Sequence, residues 1–158
     1  MKNVNKSKPL SNDIINGLFL NADSLTNKLP ELNLLVSEYD PHIIGINEVL
    51  PKNYKRQVYK EEFALNGYEM ITHSNVDANT GRGSIIYIKN NITYKQINID
   101  INGSQFEESL FIEVPLKNND KLLCGCLYRR GQPFETNIVD NLGKLFKTTI
   151  FDYRKHTC

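Results

Sequence analysis

Residues 14–48 read IINGLFLNADSLTNKLPELNLLVSEYDPHIIGINE, and the succession of patterns in this stretch decides the fold. Ile14, Ile15, Leu18, Phe19 and Leu20 form an apolar run that stops at Asn21. The run is a candidate strand, weakened by Gly17. Leu29, Leu32, Leu35 or Val36, and Tyr39 then recur at helical spacing. Pro30 falls in the first turn, where its missing N–H costs nothing. Thr26 or Asn27 is placed to cap the helix. Asp40-Pro41 stops it, because the residue before a proline is pushed out of the α region. Ile43, Ile44, Gly45 and Ile46 make a short buried strand that ends at Glu48. A buried strand, a helix and a second buried strand form a βαβ unit, whose strands run parallel.

Outward from this unit the text changes character. A helical stretch is expected from about Tyr54 to Leu65. After Gly67 the readings are strands at Tyr68–His73, Ser84–Lys89, Ile92–Ile101, Leu110–Val114 and Leu122–Tyr128. Turn-rich pieces separate them: Asn79-Thr80-Gly81, Asn90-Asn91, Asn102-Gly103 and Asn118-Asn119-Asp120. Such short links favour antiparallel neighbours. A last amphipathic helix is expected at about 137–146, and residues 1–12 read as a disordered lead.

The chain has 158 residues, 40% of them apolar and 23% charged, which is enough apolar content for one domain with a core. The net charge of +1 does not by itself demand a nucleic-acid partner, so DNA binding would rest on local basic clusters. Three cysteines, Cys124, Cys126 and Cys158, do not make a disulfide framework. Cys124 and Cys126 share one face of a strand and read as buried thiols. Residues 1–10 contain no apolar signal core, and no stretch approaches a membrane span of about 20 apolar residues. An intracellular location, nuclear or cytoplasmic, is the expectation, with no membrane partner.

The chemistry concentrates at one end of the βαβ unit. Asn21 and Asp23 close the first strand, and Glu48 closes the parallel one beside it. If the extended conformation continues through Ala22, Asn21 and Asp23 point the same way. Ligands of open α/β sheets bind outside the carboxyl ends of the strands. Carboxylate oxygens there suit Mg²⁺, which can neutralise developing charge on a phosphate. Asn and acidic residues also end strands simply as turn formers and helix caps, and both readings stand.

Asn21-Ala22-Asp23 after an apolar strand resembles the Asn-x-Asp motif of the endonuclease/exonuclease/phosphatase superfamily. Ile43-Ile44-Gly45-Ile46-Asn47-Glu48 resembles its second strand, with the metal-binding Glu. Gly81-Arg82-Gly83-Ser84-Ile85-Ile86-Tyr87-Ile88-Lys89 is similar to the glycine-led strand of the non-LTR retrotransposon branch. Glu108-Ser109-Leu110-Phe111-Ile112-Glu113-Val114 and Cys126-Leu127-Tyr128-Arg129 continue in the family's order. The resemblance implies an α/β fold, a β-sandwich flanked by helices, and Mg²⁺-dependent (or Mn²⁺-dependent) phosphodiester hydrolysis, with DNA as the substrate. It makes Glu48 the principal metal ligand, with Asp23 in or beside the metal shell. Asn21 would hold the phosphate and a partner Asp, and Tyr128 would contact the scissile phosphate. Arg129 and Arg130 could grip phosphates, although the family often has a proline where Arg130 stands; the bland alternative is a solvated loop pair. For Tyr128 the alternative is packing on the core.

Two family motifs, a Gly-Asp-Phe-Asn-like strand and a Ser-Asp-His run, do not occur in the sequence. The expectation is therefore a truncated domain over 13–146 with a divergent tail at 147–158, weakly active or inactive alone. Mainly one of the two sheets would be present, leaving an apolar face for self-association. The rival reading is a non-catalytic remnant that binds nucleic acid or protein through that face.

Overall fold

Strands β1 (Gly17–Asn21) and β2 (Ile43–Asn47) lie side by side and parallel, Gly17 opposite Ile43 and Asn21 opposite Asn47. Helix α1 (Leu29–Tyr39) makes the crossover between them, as the sequence pattern requires. The computed structural model describes residues 14–51, 57–78, 82–99, 106 and 108–128. Pro30 sits in the first turn of α1, and the helix ends at Asp40, whose backbone is left-handed at φ 43°. Capping by Thr26 or Asn27 is not made. A 3₁₀ turn over Leu25–Asn27 takes up that stretch, and Lys28 becomes the N-cap without a side-chain bond.

β3 (Tyr68–Thr72), a short helix α2 (Ser74–Ala78) and β4 (Ser84–Lys89) follow. β4 inserts between β2 and β3, antiparallel to both, so the first sheet has the order β1-β2-β4-β3. β5 (Lys95–Ile97), β6 (Glu108–Pro115) and β7 (Lys121–Tyr128) form a second, antiparallel sheet in chain order. Period-two alternation sends each strand's residues to opposite faces, and two cores result. On the outer face of the first sheet, Ile44, Ile46, Ile85 and Tyr87 pack with Leu25, Leu32 and Phe63. Between the sheets, Ile43, Ile86 and Ile88 pack with Leu110, Ile112, Val114 and Cys126. β4 is buried on both faces, which accounts for its unbroken apolar run.

The structure is thus the expected α/β partial sandwich, with one change of proportion: three strands of the second sheet are present beside four of the first. The Asn90-Asn91 link does not make a hairpin. The chain turns there, buries Ile92 between the sheets and crosses to the other layer. The apolar face of β4 that was expected to lie open is therefore covered, with Ile86 and Ile88 buried under the second sheet. The cover runs out at the edge strand β1, where the Phe19 ring lies over Gly45 yet stays 56% exposed.

Between residues 57 and 65 the expected helix reduces to a 3₁₀ turn at Lys60–Phe63. Its buried residues, Val58, Phe63 and Leu65, do not share a helical stripe and instead anchor a loop onto the outer core. The strand expected over Ile92–Ile101 is ordered as β5 alone within its described part. The lead at 1–12, the helix at 137–146 and the tail at 147–158 lie outside the described residues. No helix among the described residues is long and apolar enough to cross a membrane.

Candidate active site

Beyond their last residues, β1 and β2 stay zipped together. Ala22 N–H donates to Asn47 O at 2.9 Å, Ser24 N–H to Glu48 O at 2.8 Å and Leu25 N–H to Val49 O at 2.7 Å. The segment before β4 joins from the other side. Val49 N–H donates to Gly83 O at 3.1 Å and Leu50 N–H to Arg82 O at 2.7 Å. Three loops thus form one rim at the carboxyl end of the parallel pair, where α/β folds place ligands. The rim is strained. Asp23 (φ 44°), Ser24 (φ 86°) and Glu48 (φ 56°) all take left-handed backbone there. Each costs an L-residue roughly 1–2 kcal/mol, and such outliers gather at functional sites.

The side chains converge on Arg82. One of its terminal nitrogens, Nη2, donates both to Asp23 Oδ1 and to Glu48 Oε2. Glu48 is sheltered, with its side chain 18% exposed, whereas that of Asp23 is 74% exposed. Burial works against the Arg82 charge, but the bonds and charges of Glu48 and Asp23 outweigh it and raise its pKa further. Arg82 Nε is buried without a partner. Tyr128, the last residue of β7, brings its hydroxyl from the second sheet into the field of the Glu48 carboxylate and of Arg82. Its pKa is pushed up, first by burial and then by the negative charge of Glu48, with Arg82 opposing. The phenol is therefore protonated at neutral pH and available as a donor.

Asn21 behaves differently from the sequence expectation. The strand ends at Asn21, and the extended conformation does not reach Asp23. Asn21 Oδ1 accepts the Asp23 N–H at 3.2 Å, an Asx turn that shapes the rim. A cavity of about 100 Å³ opens between β1 and α1, lined by Asn21, Lys28 and Glu31 together with Leu20, Ala22, Leu25, Leu32, Leu35 and Ile46. It includes neither Asp23 nor Glu48. Arg129 and Arg130 lie outside the described residues.

Beneath the rim is a buried polar network. Glu108, 1% exposed, accepts Gly83 N–H at 2.9 Å and lies 2.9 Å from Ser84 Oγ. Ser84 Oγ is also 2.8 Å from Asn47 Oδ1; with one proton it donates to one of the two at a time. Asn47 Nδ2 donates to Leu127 O at 2.9 Å, and the Cys126 thiol reaches Asn47 Oδ1 at 3.0 Å. Burial, then the charge of Glu108, pushes that thiol up to about 12. Four strands from two sheets are fixed to one another under the site. Sequence reading passed over Arg82, Asn47 and Glu108 as functional candidates. The only signal was their place inside motifs valued for other residues.

A divalent cation fits the donor chemistry at the rim. Glu48 and Asp23 offer hard carboxylate oxygens just past the ends of two neighbouring strands, and Mg²⁺ commonly binds through one or two carboxylates plus water and phosphate. The described residues contain no cluster of three or more His, Cys, Asp or Glu that could cage an ion by themselves.

No family model and no curated protein matches this sequence. A solved structure does: humanized D. rerio TDP2 carrying 14 mutations aligns with a TM-score of 0.55 at 16% identity, over 85% of this chain and 57% of that one. The chain therefore spans little more than half the length of that structure, and the likeness concerns the fold. This protein has an α/β fold of the endonuclease/exonuclease/phosphatase type, as a partial two-sheet sandwich.

Proposed function

We propose that the rim of Asp23, Glu48 and Tyr128 is the metal- and phosphate-binding part of a phosphodiester hydrolase, with DNA as the substrate class and the retrotransposon-type endonucleases as the nearest branch. One observation carries the reading. Two carboxylates from the loops just beyond adjacent parallel strands and a phenol from the opposite sheet gather around a single positive charge. Glu48, the more sheltered acid, would be the principal ligand of Mg²⁺ or Mn²⁺, and Asp23 would bind beside it. When bound, the ion supplies Lewis acidity and neutralises charge on the phosphate. Tyr128, protonated at neutral pH, would donate a hydrogen bond to a phosphoryl oxygen. Asn21 shapes the turn that presents Asp23. Arg129 and Arg130, following directly in sequence, would grip the flanking phosphates.

Hydrolysis by this chain is slow. The general base and the phosphate-stabilising His of the fold's active enzymes belong to motifs that the sequence does not contain. Loss of a general base alone costs about 10²–10⁴-fold. A second, non-catalytic reading is favoured by one feature: Arg82 already neutralises the acid pair. Incubation of the purified chain with supercoiled plasmid and Mn²⁺ separates the two. Slow nicking that Glu48→Gln abolishes supports the hydrolase. Saturable Mn²⁺ binding without nicking, or neither, leaves the non-catalytic reading.

A further inference from the structure

We propose that Arg82 is a resident counter-cation for the Asp23–Glu48 pair, a positioning residue that yields its place to a divalent ion and then turns its guanidinium onto the phosphate. The inference rests on the metal-and-phosphate reading of the rim and deepens it.

Three features of the guanidinium support this role. First, a single nitrogen serves both acids, so the positive charge stands between the two carboxylates that would hold a divalent ion. Second, its bonding is unbalanced. Nη2 is used twice while Nε is buried with no partner. A guanidinium bound to one oxyanion uses two N–H groups in parallel, and Nε with a neighbouring Nη forms such a fork. In its present position the fork is spent on neither acid, so the side chain keeps an unmet donor that a phosphate oxygen could satisfy. Third, the backbone is anchored at Arg82 and on its C-terminal side. Arg82 O accepts from Leu50 N–H, and Gly83 is tied on both sides, by its N–H to Glu108 and by its O to Val49 N–H. These ties favour movement of the side chain over movement of the backbone.

The electrostatics favour the exchange. With Arg82 in place, two negative charges face one positive charge. A divalent ion matches the pair in full, but must displace a tethered competitor held at high effective concentration. The wild-type chain therefore binds divalent ions weakly, and removal of the guanidinium strengthens binding. A guanidinium that merely braced the fold would have the opposite effect, since its loss would loosen both carboxylates.

The test is a Mn²⁺ titration followed by the EPR signal of the free ion, on the wild type, Arg82→Gln, Arg82→Lys and Arg82→Gln/Glu48→Gln. Arg82→Gln should bind Mn²⁺ about tenfold more tightly than the wild type, through loss of the tethered competitor. Arg82→Lys should stay near the wild type, and the double variant should lose the tight site. If Arg82→Gln fails to fold, the wild type alone decides. Its Arg82 Nε–H NMR signal should shift on saturation with Mg²⁺, and shift again on adding inorganic phosphate. Wild-type binding that Arg82→Gln does not tighten, or an Nε–H signal that ignores saturating Mg²⁺, overturns this proposal and leaves the metal reading intact. Absence of saturable Mn²⁺ binding in every protein sinks both.

Discussion

Glu108 accepts the backbone N–H of Gly83 at 2.9 Å, so an acid on the second sheet fixes the turn from which Arg82 reaches the first. The same carboxylate lies 2.9 Å from Ser84 Oγ and is 1% exposed. A charge is tolerated at such depth only when its oxygens are bonded. Glu108→Ala strands the buried Gly83 N–H, at about 1–3 kcal/mol, while Ser84 Oγ turns its proton to Asn47 Oδ1. Urea denaturation should show a loss of roughly 1–3 kcal/mol. Glu108→Gln keeps one acceptor and should lose less. Equal stability of all three proteins would mean that the network contributes nothing to holding the sheets together.

The turn itself depends on Gly83. Its φ of 69° is left-handed, and a Cβ there would come within 2.3 Å of Val76 Cγ2. Gly67, at φ 83°, has nothing within 4 Å of the same atom. The pair separates conformation from crowding. Gly67→Ala should cost about 1–2 kcal/mol, the left-handed penalty alone. Gly83→Ala adds overpacking of about 1–3 kcal/mol against α2. Thermal or urea unfolding of both variants, compared in one buffer, reads the difference. A Gly67→Ala loss equal to that of Gly83→Ala would remove the contact with Val76 from the account.

Cys126 gives stability a dependence on alkaline pH. Its thiol is pushed up to about 12, by burial and then by the charge of Glu108. The folded chain therefore keeps a proton that the unfolded chain releases at the ordinary thiol pKa. The contribution is complete below that unfolded value and is lost as pH rises toward the folded one. The stability gap between the wild type and Cys126→Ala should shrink as pH climbs from about 8 to about 11. Tyr94, also raised to about 12, makes both proteins decline, so the difference between them is the informative quantity. Iodoacetamide at neutral pH should leave Cys126 unmodified in the native chain, read by peptide mass spectrometry. Rapid native labelling would contradict the buried, protonated thiol.

The βαβ unit was legible because its signals are local: apolar runs, a helical period between them, and a proline at each end of the helix. Strand β4 was read to the residue for the same reason. What local pattern could not supply was the layer. Alternation says that Ile86 and Ile88 share a face, but not which sheet covers it. A short link such as Asn90-Asn91 favours antiparallel neighbours, and nothing local signals that the chain crosses to the other sheet there. The site shows the same division. Glu48 announced itself at a strand end. Arg82 did not, because its partners lie 34 and 59 positions away, and Glu108 meets Gly83 across 25. Asn21 and Asp23 were located, but the turn between them, closed by the Asn21 side chain, was one of two options open to an Asn at a strand end.

Strain at the rim allows binding to be separated from stability. Ser24 holds φ 86° and makes no side-chain capping bond. Ser24→Gly removes the left-handed penalty of about 1–2 kcal/mol and adds unfolded-state entropy of roughly 0.5–1 kcal/mol, so a net gain of up to about 1.5 kcal/mol is expected. Asp23, at φ 44°, gains similar relief as Gly but gives up its pair with Arg82. That pair is exposed on the Asp23 side and contributes no more than about 1 kcal/mol. Asp23→Gly should therefore be close to neutral in stability, yet it removes one of two carboxylates and should weaken Mn²⁺ binding. Ser24→Gly should leave binding unchanged. A large destabilisation by Asp23→Gly would make that acid a brace for the loop, whereas unaltered Mn²⁺ binding would place the ion on Glu48 alone.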